Sequence, residues 1–212
     1  MRTEQLIEFL ASGGGELAPR AGQLRRLASA LACGLLVAIV LIALGPGVRE
    51  DFVDHRMPVM WKSLFSAAAA AAALPLTLRL MRPGRPLGWR MPAILAFVGI
   101  AALAAFIALM GEAPERRMQA WLGGGFPWCV VLIPLLAAPS AALLVALMRG
   151  FAPTRLTLAG AAIGAVSGGI GAMAYSLLCP IDSIAFVTTW YVAAIALCAA
   201  LGAMMGTRLL RW

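Results

Sequence analysis

The sequence predicts an all-α membrane protein, a six-transmembrane-helix bundle with both termini cytoplasmic. Apolar residues make up 62% of the 212-residue chain, and its mean hydropathy of +0.92 lies above that of a soluble globule, in which about half of the residues are apolar. Six apolar stretches fill nearly the whole length. Each runs to about 19 to 23 residues, enough at about 1.5 Å rise per residue to cross a hydrocarbon layer ~30 Å thick. Lys and Arg are divided unevenly between the connections: with the N-terminus inside, the cytoplasmic segments hold twelve against three carboxylates, and the opposite side holds five against six. That bias fixes both tails in the cytoplasm under the positive-inside rule. The alternating pattern of a membrane β-barrel is absent.

The N-terminal tail, residues 1–26, is the largest cytoplasmic element. Leu6, Ile7 and Leu10 give residues 3–10 one apolar face, with Glu4 and Glu8 on another. Two turns are too short to be stable alone, so this segment either lies on the headgroups or folds into a partner's groove. The first span, 27–45, follows Arg25 and Arg26 and ends at Gly45-Pro46-Gly47 without a cleavage site, which reads as an uncleaved anchor. In the second span, 59–78, the run Ala67 to Ala73 offers a smooth surface, Pro75 bends the helix, and Lys62 lies near enough to the end to snorkel. The cytoplasmic connection that follows carries Arg79, Arg82, Arg85 and Arg90, suited to phospholipid headgroups or to an acidic protein surface.

The third span, 92–111, leads to an outer connection in which Gly123 to Gly125 read as flexible. Pro134 and Pro139 should bend the fourth span, 128–148. The fifth, 157–178, carries Gly160, Gly164 and Gly168. The sixth, 184–206, answers with Ala194, Cys198, Gly202 and Gly206, again every fourth residue. In lipid, where burying apolar side chains gains little, such small residues permit the close backbone approach that holds helices together. The turn Cys179-Pro180-Ile181-Asp182 is too short for anything but an antiparallel hairpin. The same glycine face can also serve self-association as a homo-oligomer. Residues 207–212 form a short cytoplasmic C-terminal tail.

The net charge of +8 follows the cytoplasmic connections, so lipid headgroups account for it without a direct nucleic-acid partner. No G-x-S-x-G, Walker loop or H-E-x-x-H is present, and His55 is the sole histidine, so the chain is read as no enzyme and as needing no cofactor. No recognised metal-ligand spacing occurs. No ionisable residue lies near the middle of a span, where one would mark an ion path. A small multi-span transporter or channel working through the bends at Pro134 and Pro139 is the alternative reading.

The four cysteines divide by position. Cys33 and Cys198 lie within spans as small packing residues, whereas Cys129 opens the fourth span and Cys179 closes the fifth, at equal depth on the outer side. Three readings of that pair stand: unrelated packing residues, a constitutive disulfide, or a reversible thiol pair responsive to oxidants or thiophilic metals.

Several stretches together resemble the NrsF family, bacterial inner-membrane negative regulators of the extracytoplasmic-function sigma factor SigF. They are Thr3, Leu6, Ile7 and Leu10; Trp61-Lys62; Cys129 followed by Ile133-Pro134-Leu135-Leu136; and Ala152-Pro153-Thr154-Arg155. The most specific are Tyr175, Cys179-Pro180-Ile181-Asp182-Ser183, Phe186, Trp190-Tyr191 and Leu209-Leu210-Arg211-Trp212. Ile181 departs from the family's turn, which looks like Cys-Pro-Glu-Asp-Ser. The resemblance implies a multi-pass anti-sigma factor of the inner membrane that holds a sigma factor at the cytoplasmic face and releases it on envelope, oxidative or heavy-metal stress. On this reading the outward-facing pair Cys129 and Cys179, beside the outer turn with Pro180, Asp182 and Ser183, receives the stimulus. Thr3, Leu6, Ile7 and Leu10 grip the partner, with Arg79, Arg82, Arg85 and Arg90 as the second contact surface.

Overall fold

The computed structural model describes residues 21–81, 88, 90–151 and 153–210. Thr3, Leu6, Ile7, Leu10, Arg82 and Arg85 lie outside the described residues. Six helices are long and apolar enough to cross a membrane. They are α1 (Ala21–Leu44), α2 (Arg56–Leu80), α3 (Arg90–Gly111), α5 (Trp128–Arg149), α6 (Leu156–Tyr175) and α7, which runs over Ile184–Leu209. No strand occurs among the described residues. α1 begins six residues before the apolar stretch, so residues 21–26 are helical. α6 stops at Tyr175, three residues short of the expected 178. Pro75, Pro134 and Pro139 lie inside helices that continue through them.

A shorter helix, α4 (Pro114–Leu122), forms in the outer connection ahead of Gly123 to Gly125, where the sequence reading placed no helix. Its ends explain it. Pro114 stands at the first helical position with Glu115 in the first turn, which suits the unpaired N–H groups there. Gly123 closes it in the left-handed region at φ 59°, its N–H donating to the Gln119 carbonyl at 2.8 Å.

α6 is the central helix. Of its span window 67% is buried, against 11% for α3, which stands at the periphery. Small residues on three of its faces make this possible. A methyl group on Gly160 would overlap the Gly202 carbonyl and one on Gly164 the Cys198 carbonyl, so α6 and α7 pack backbone to backbone as antiparallel neighbours. On a second face a Cβ at Gly169 would stand 2.7 Å from that of Ala70 in α2, and on a third one at Gly171 would stand 2.6 Å from the Ile133 carbonyl in α5. The glycines Gly160, Gly164 and Gly168 therefore serve internal packing against α7.

The chain enters at Ala21 and leaves at Leu210 at one end of the bundle, here the tail end. The connections after α1, α3 and α6 form the far end. Each end has its own buried cluster: Leu27, Leu76, Leu144, Met148, Val166 and Leu210 at the tail end, and Cys129, Ile133, Tyr175, Cys179, Phe186 and Tyr191 toward the far end.

Candidate functional site

The far end is organised around the turn that follows α6. The helix unwinds through backbone bonds from Ser176, Leu177 and Cys179 back to Ala172, Ala174 and Tyr175, each at 3.0 Å, which leaves the carbonyls of Cys179 and Ile181 free of helical partners. Lys62 of α2 takes them. Its Nζ donates to the Cys179 carbonyl at 2.8 Å, the Ile181 carbonyl at 3.2 Å and Asp182 Oδ1 at 2.8 Å, using all three donors of the ammonium. Lys62 does not snorkel: its side chain is 0% exposed. Three oxygens replace the water it has lost, and only so complete a replacement makes a buried ammonium tolerable.

Arg49, in the connection between α1 and α2, meets the same turn. Its Nη1 donates to Asp182 Oδ1 at 3.0 Å and to the Cys179 carbonyl at 3.3 Å, while Nε and Nη2 form a two-pronged pair with Asp51 at 2.6 and 2.8 Å. The Arg49 N–H donates to the Leu177 carbonyl at 3.1 Å. Asp51 Oδ2 also lies 3.0 Å from His55 Nδ1. Arg49, Lys62, Asp51 and Asp182 thus balance two positive against two negative charges, clasping α1, α2 and the α6–α7 turn together. The hydrogen bond from Arg49 holds the Asp51 carboxyl down at about 2, against some desolvation. Partial burial pushes the Asp182 carboxyl up, but hydrogen bonds and attraction from Lys62 and Arg49 outweigh it and leave it below the usual range. The Arg49 guanidinium is raised chiefly by its bond to Asp51.

Beneath this clasp lie the two thiols. Cys129 in the first turn of α5 and Cys179 in the turn after α6 come from sequence positions 50 apart into one buried cluster. Both are free and 0% exposed. The sequence reading had them facing outward; the structure turns both inward, because the clasp and the α4 connection close over them. Cys179 Sγ finds only a weak acceptor, the Ile181 carbonyl at 3.8 Å. Two phenols complete the compartment, Tyr175 and Tyr191, with ring centroids 5.8 Å apart. Tyr191 ends a π-helical turn, Val187–Tyr191, in α7. The extra residue of such a turn re-aims side chains, and here Tyr191 is fully buried with its hydroxyl unpaired among the described residues.

α4 is tied down over this compartment. Ser183 Oγ donates to the Ala120 carbonyl at 2.8 Å and also caps the start of α7 by accepting the Phe186 N–H. Trp190 Nε1 donates to the Trp121 carbonyl at 2.9 Å, and the Trp190 ring packs against Trp121 and Phe126 at centroid distances of 5.4 and 4.4 Å. Ile181 fills the space left by Gly123 and Gly125, where any side chain would meet it. An apolar residue thus suits that position, and Asp182 supplies the carboxylate to Lys62. Pro180 is exposed.

The arrangement unites Cys129, Cys179, Asp182 and Ser183 in one region. Arg79 and Arg90 stand at the opposite, tail end. Arg49 and Trp121 were not singled out from sequence; Lys62, Trp190 and Tyr191 were, as parts of the stretches that carry the family resemblance, but their partners were not foreseen, although a lysine inside an apolar span was an available signal. Among the described residues no group of three or more His, Cys, Asp or Glu side chains is placed to hold a metal ion. As chemistry, the site offers two free, buried thiols beside a turn whose Cys179 carbonyl is bonded to Lys62 and Arg49.

A family model described as NrsF, "Negative regulator of sigma F", matches residues 10–212. The chain is 36% identical over 217 residues to "Probable anti-sigma-F factor NrsF" of Azospira oryzae, covering 100% of both chains. It is 33% identical over 221 residues to "Anti-sigma-F factor NrsF" of Caulobacter vibrioides, again covering 100% of both. No solved structure matches the chain.

Proposed function

Because the chain belongs to the NrsF family of negative regulators of sigma F, we propose that it is a membrane-bound anti-sigma factor, a regulatory protein and not an enzyme. It holds an extracytoplasmic-function sigma factor at the cytoplasmic face of the bacterial inner membrane and releases it when an oxidant or a thiophilic metal reaches Cys129 and Cys179. The observation that carries the reading is the full-length relation to two anti-sigma-F factors.

The geometry supports a route for the signal. Oxidation would join the two sulfurs, passing two electrons to the oxidant and releasing two protons; a thiophilic metal would replace those protons. Either event pulls the turn after α6 toward α5. Because the Cys179 carbonyl is bonded to both Lys62 and Arg49, that movement loads α1 and α2, and α1 leads directly into the tail. The tail residues Thr3, Leu6, Ile7 and Leu10 grip the sigma factor, and Arg79, Arg82, Arg85 and Arg90 meet its acidic surface or the lipid headgroups.

Pull-down of the tagged chain from solubilised membranes, with identification of the bound soluble protein, tests capture. A sigma factor is expected in the wild type and lost when Leu6, Ile7 and Leu10 are replaced by glutamate, with the chain still in the membrane fraction. Cys129→Ser with Cys179→Ser should retain capture and fail to release under oxidant or heavy-metal challenge. Normal release from that double variant would remove the thiols from the mechanism.

A further inference from the structure

The described residues are sorted by charge along the bundle. Glu50, Asp51, Asp54, Glu112, Glu115 and Asp182, all the described carboxylate residues, belong to the far end, whereas the tail end carries arginines alone. At the tail end a groove of about 430 Å³ runs between α5 and α7 over α6, lined almost wholly by apolar atoms. Gly160 and Gly164 form its floor, with Ala138 and Ala142 on one wall and Leu201 and Met205 on the other. Arg149 stands at its mouth. The Arg149 Nε donates to the Leu209 carbonyl at 2.6 Å, bridging α5 to the end of α7 and fixing the guanidinium plane. Its two terminal nitrogens make no hydrogen bond or ion pair among the described residues, and no described carboxylate at this end competes for them.

We propose that the groove seats an acyl chain of an anionic phospholipid, with the headgroup phosphate held by the terminal nitrogens of Arg149. The volume falls within the ~300–1,000 Å³ of small-ligand pockets. An alkyl chain demands no hydrogen bonds from these walls, and a planar guanidinium suits a phosphate in two-pronged geometry. The lipid would wedge α5 and α7 on the same helices that bring Cys129 and Tyr191 together at the far end. This inference rests on the helices lying in a bilayer and is independent of sigma-factor capture.

The test is native mass spectrometry of the full chain, delipidated in mild detergent and titrated with phosphatidylglycerol or phosphatidylcholine. One tightly retained phosphatidylglycerol is expected, with phosphatidylcholine held more weakly. Arg149→Gln should weaken phosphatidylglycerol retention roughly tenfold, as should Ala142→Phe, whose ring would occupy the groove. Ala142→Leu repeats the block with a smaller side chain should the phenylalanine disturb folding. Arg208→Gln, at the same end but outside the groove, should leave retention unchanged. Equal loss in Arg208→Gln and Arg149→Gln would reduce the effect to diffuse attraction and overturn the proposal. A dimer split by Ala142→Phe with lipid retention intact would assign the groove to a second copy and overturn it likewise. Recovery of the wild-type chain outside the membrane fraction would overturn the bilayer premise itself.

Discussion

Lys62 is the residue whose position in the sequence says least about its environment. It stands seven residues into α2, a depth from which a lysine ordinarily reaches the headgroups, yet its partners are 117 to 120 residues further along the chain. Removing one partner of a buried ion pair strands the other, at about 3–5 kcal/mol. Asp182→Asn should therefore destabilise the protein toward the lower end of that range, since the Cys179 and Ile181 carbonyls remain. Lys62→Met combined with Asp182→Leu should recover much of the loss, read as midpoints of thermal unfolding in detergent. The sign of the pH dependence follows from the depressed carboxyls. A group whose folded pKa is lowered contributes stability that is complete above its unfolded value, 3.8 here, and is lost as pH falls through the folded value, about 2 for Asp51. The stability gap between wild type and Asp182→Asn should thus be constant from pH 7 to about pH 4 and shrink below it. A gap closing near pH 6 would show that the clasp is not built as described.

Among the elements, α6 and α7 were the most legible, because spacing small residues by four puts them on one helical face. What spacing could not tell is that α6 presents small residues on three faces, since Gly169 and Gly171 have no such repeat and owe their role to α2 and α5. The consequence is measurable. Gly164→Ala places a methyl against the Cys198 backbone, which cannot yield as a flexible side chain would, and should cost about 1–3 kcal/mol. Gly99→Ala in peripheral α3 meets nothing within 4 Å and should leave the unfolding midpoint unchanged or raise it. Equal losses would mean that α6 is not central. α4 was missed for a different reason: at nine residues it is too short for stability of its own and depends on Ser183 and Trp190, donors supplied by α7.

For the molecule as a whole, the described carboxylates gather at the far end and Arg149, Arg155 and Arg208 at the tail end, the sorting that the proposed cytoplasmic placement of the tail end requires. Impermeant maleimide applied to intact cells should modify a cysteine introduced at Glu112 and spare one introduced at Arg155. Cys129 and Cys179 should resist the reagent until the protein is unfolded, because both are enclosed. Modification at position 155 from outside would invert the topology and remove the proposed separation between stimulus and partner.

Six long apolar helices, their approximate limits, the hairpin of the last two and the polarity of the two ends were all readable in linear order, because hydropathy, local charge and helical periodicity are properties of neighbouring residues. The closed thiol compartment, the three oxygens around Lys62 and the groove beside Arg149 were not. Each is made of groups brought together across long stretches of chain, and burial depends on what packs against a residue, which no local window contains.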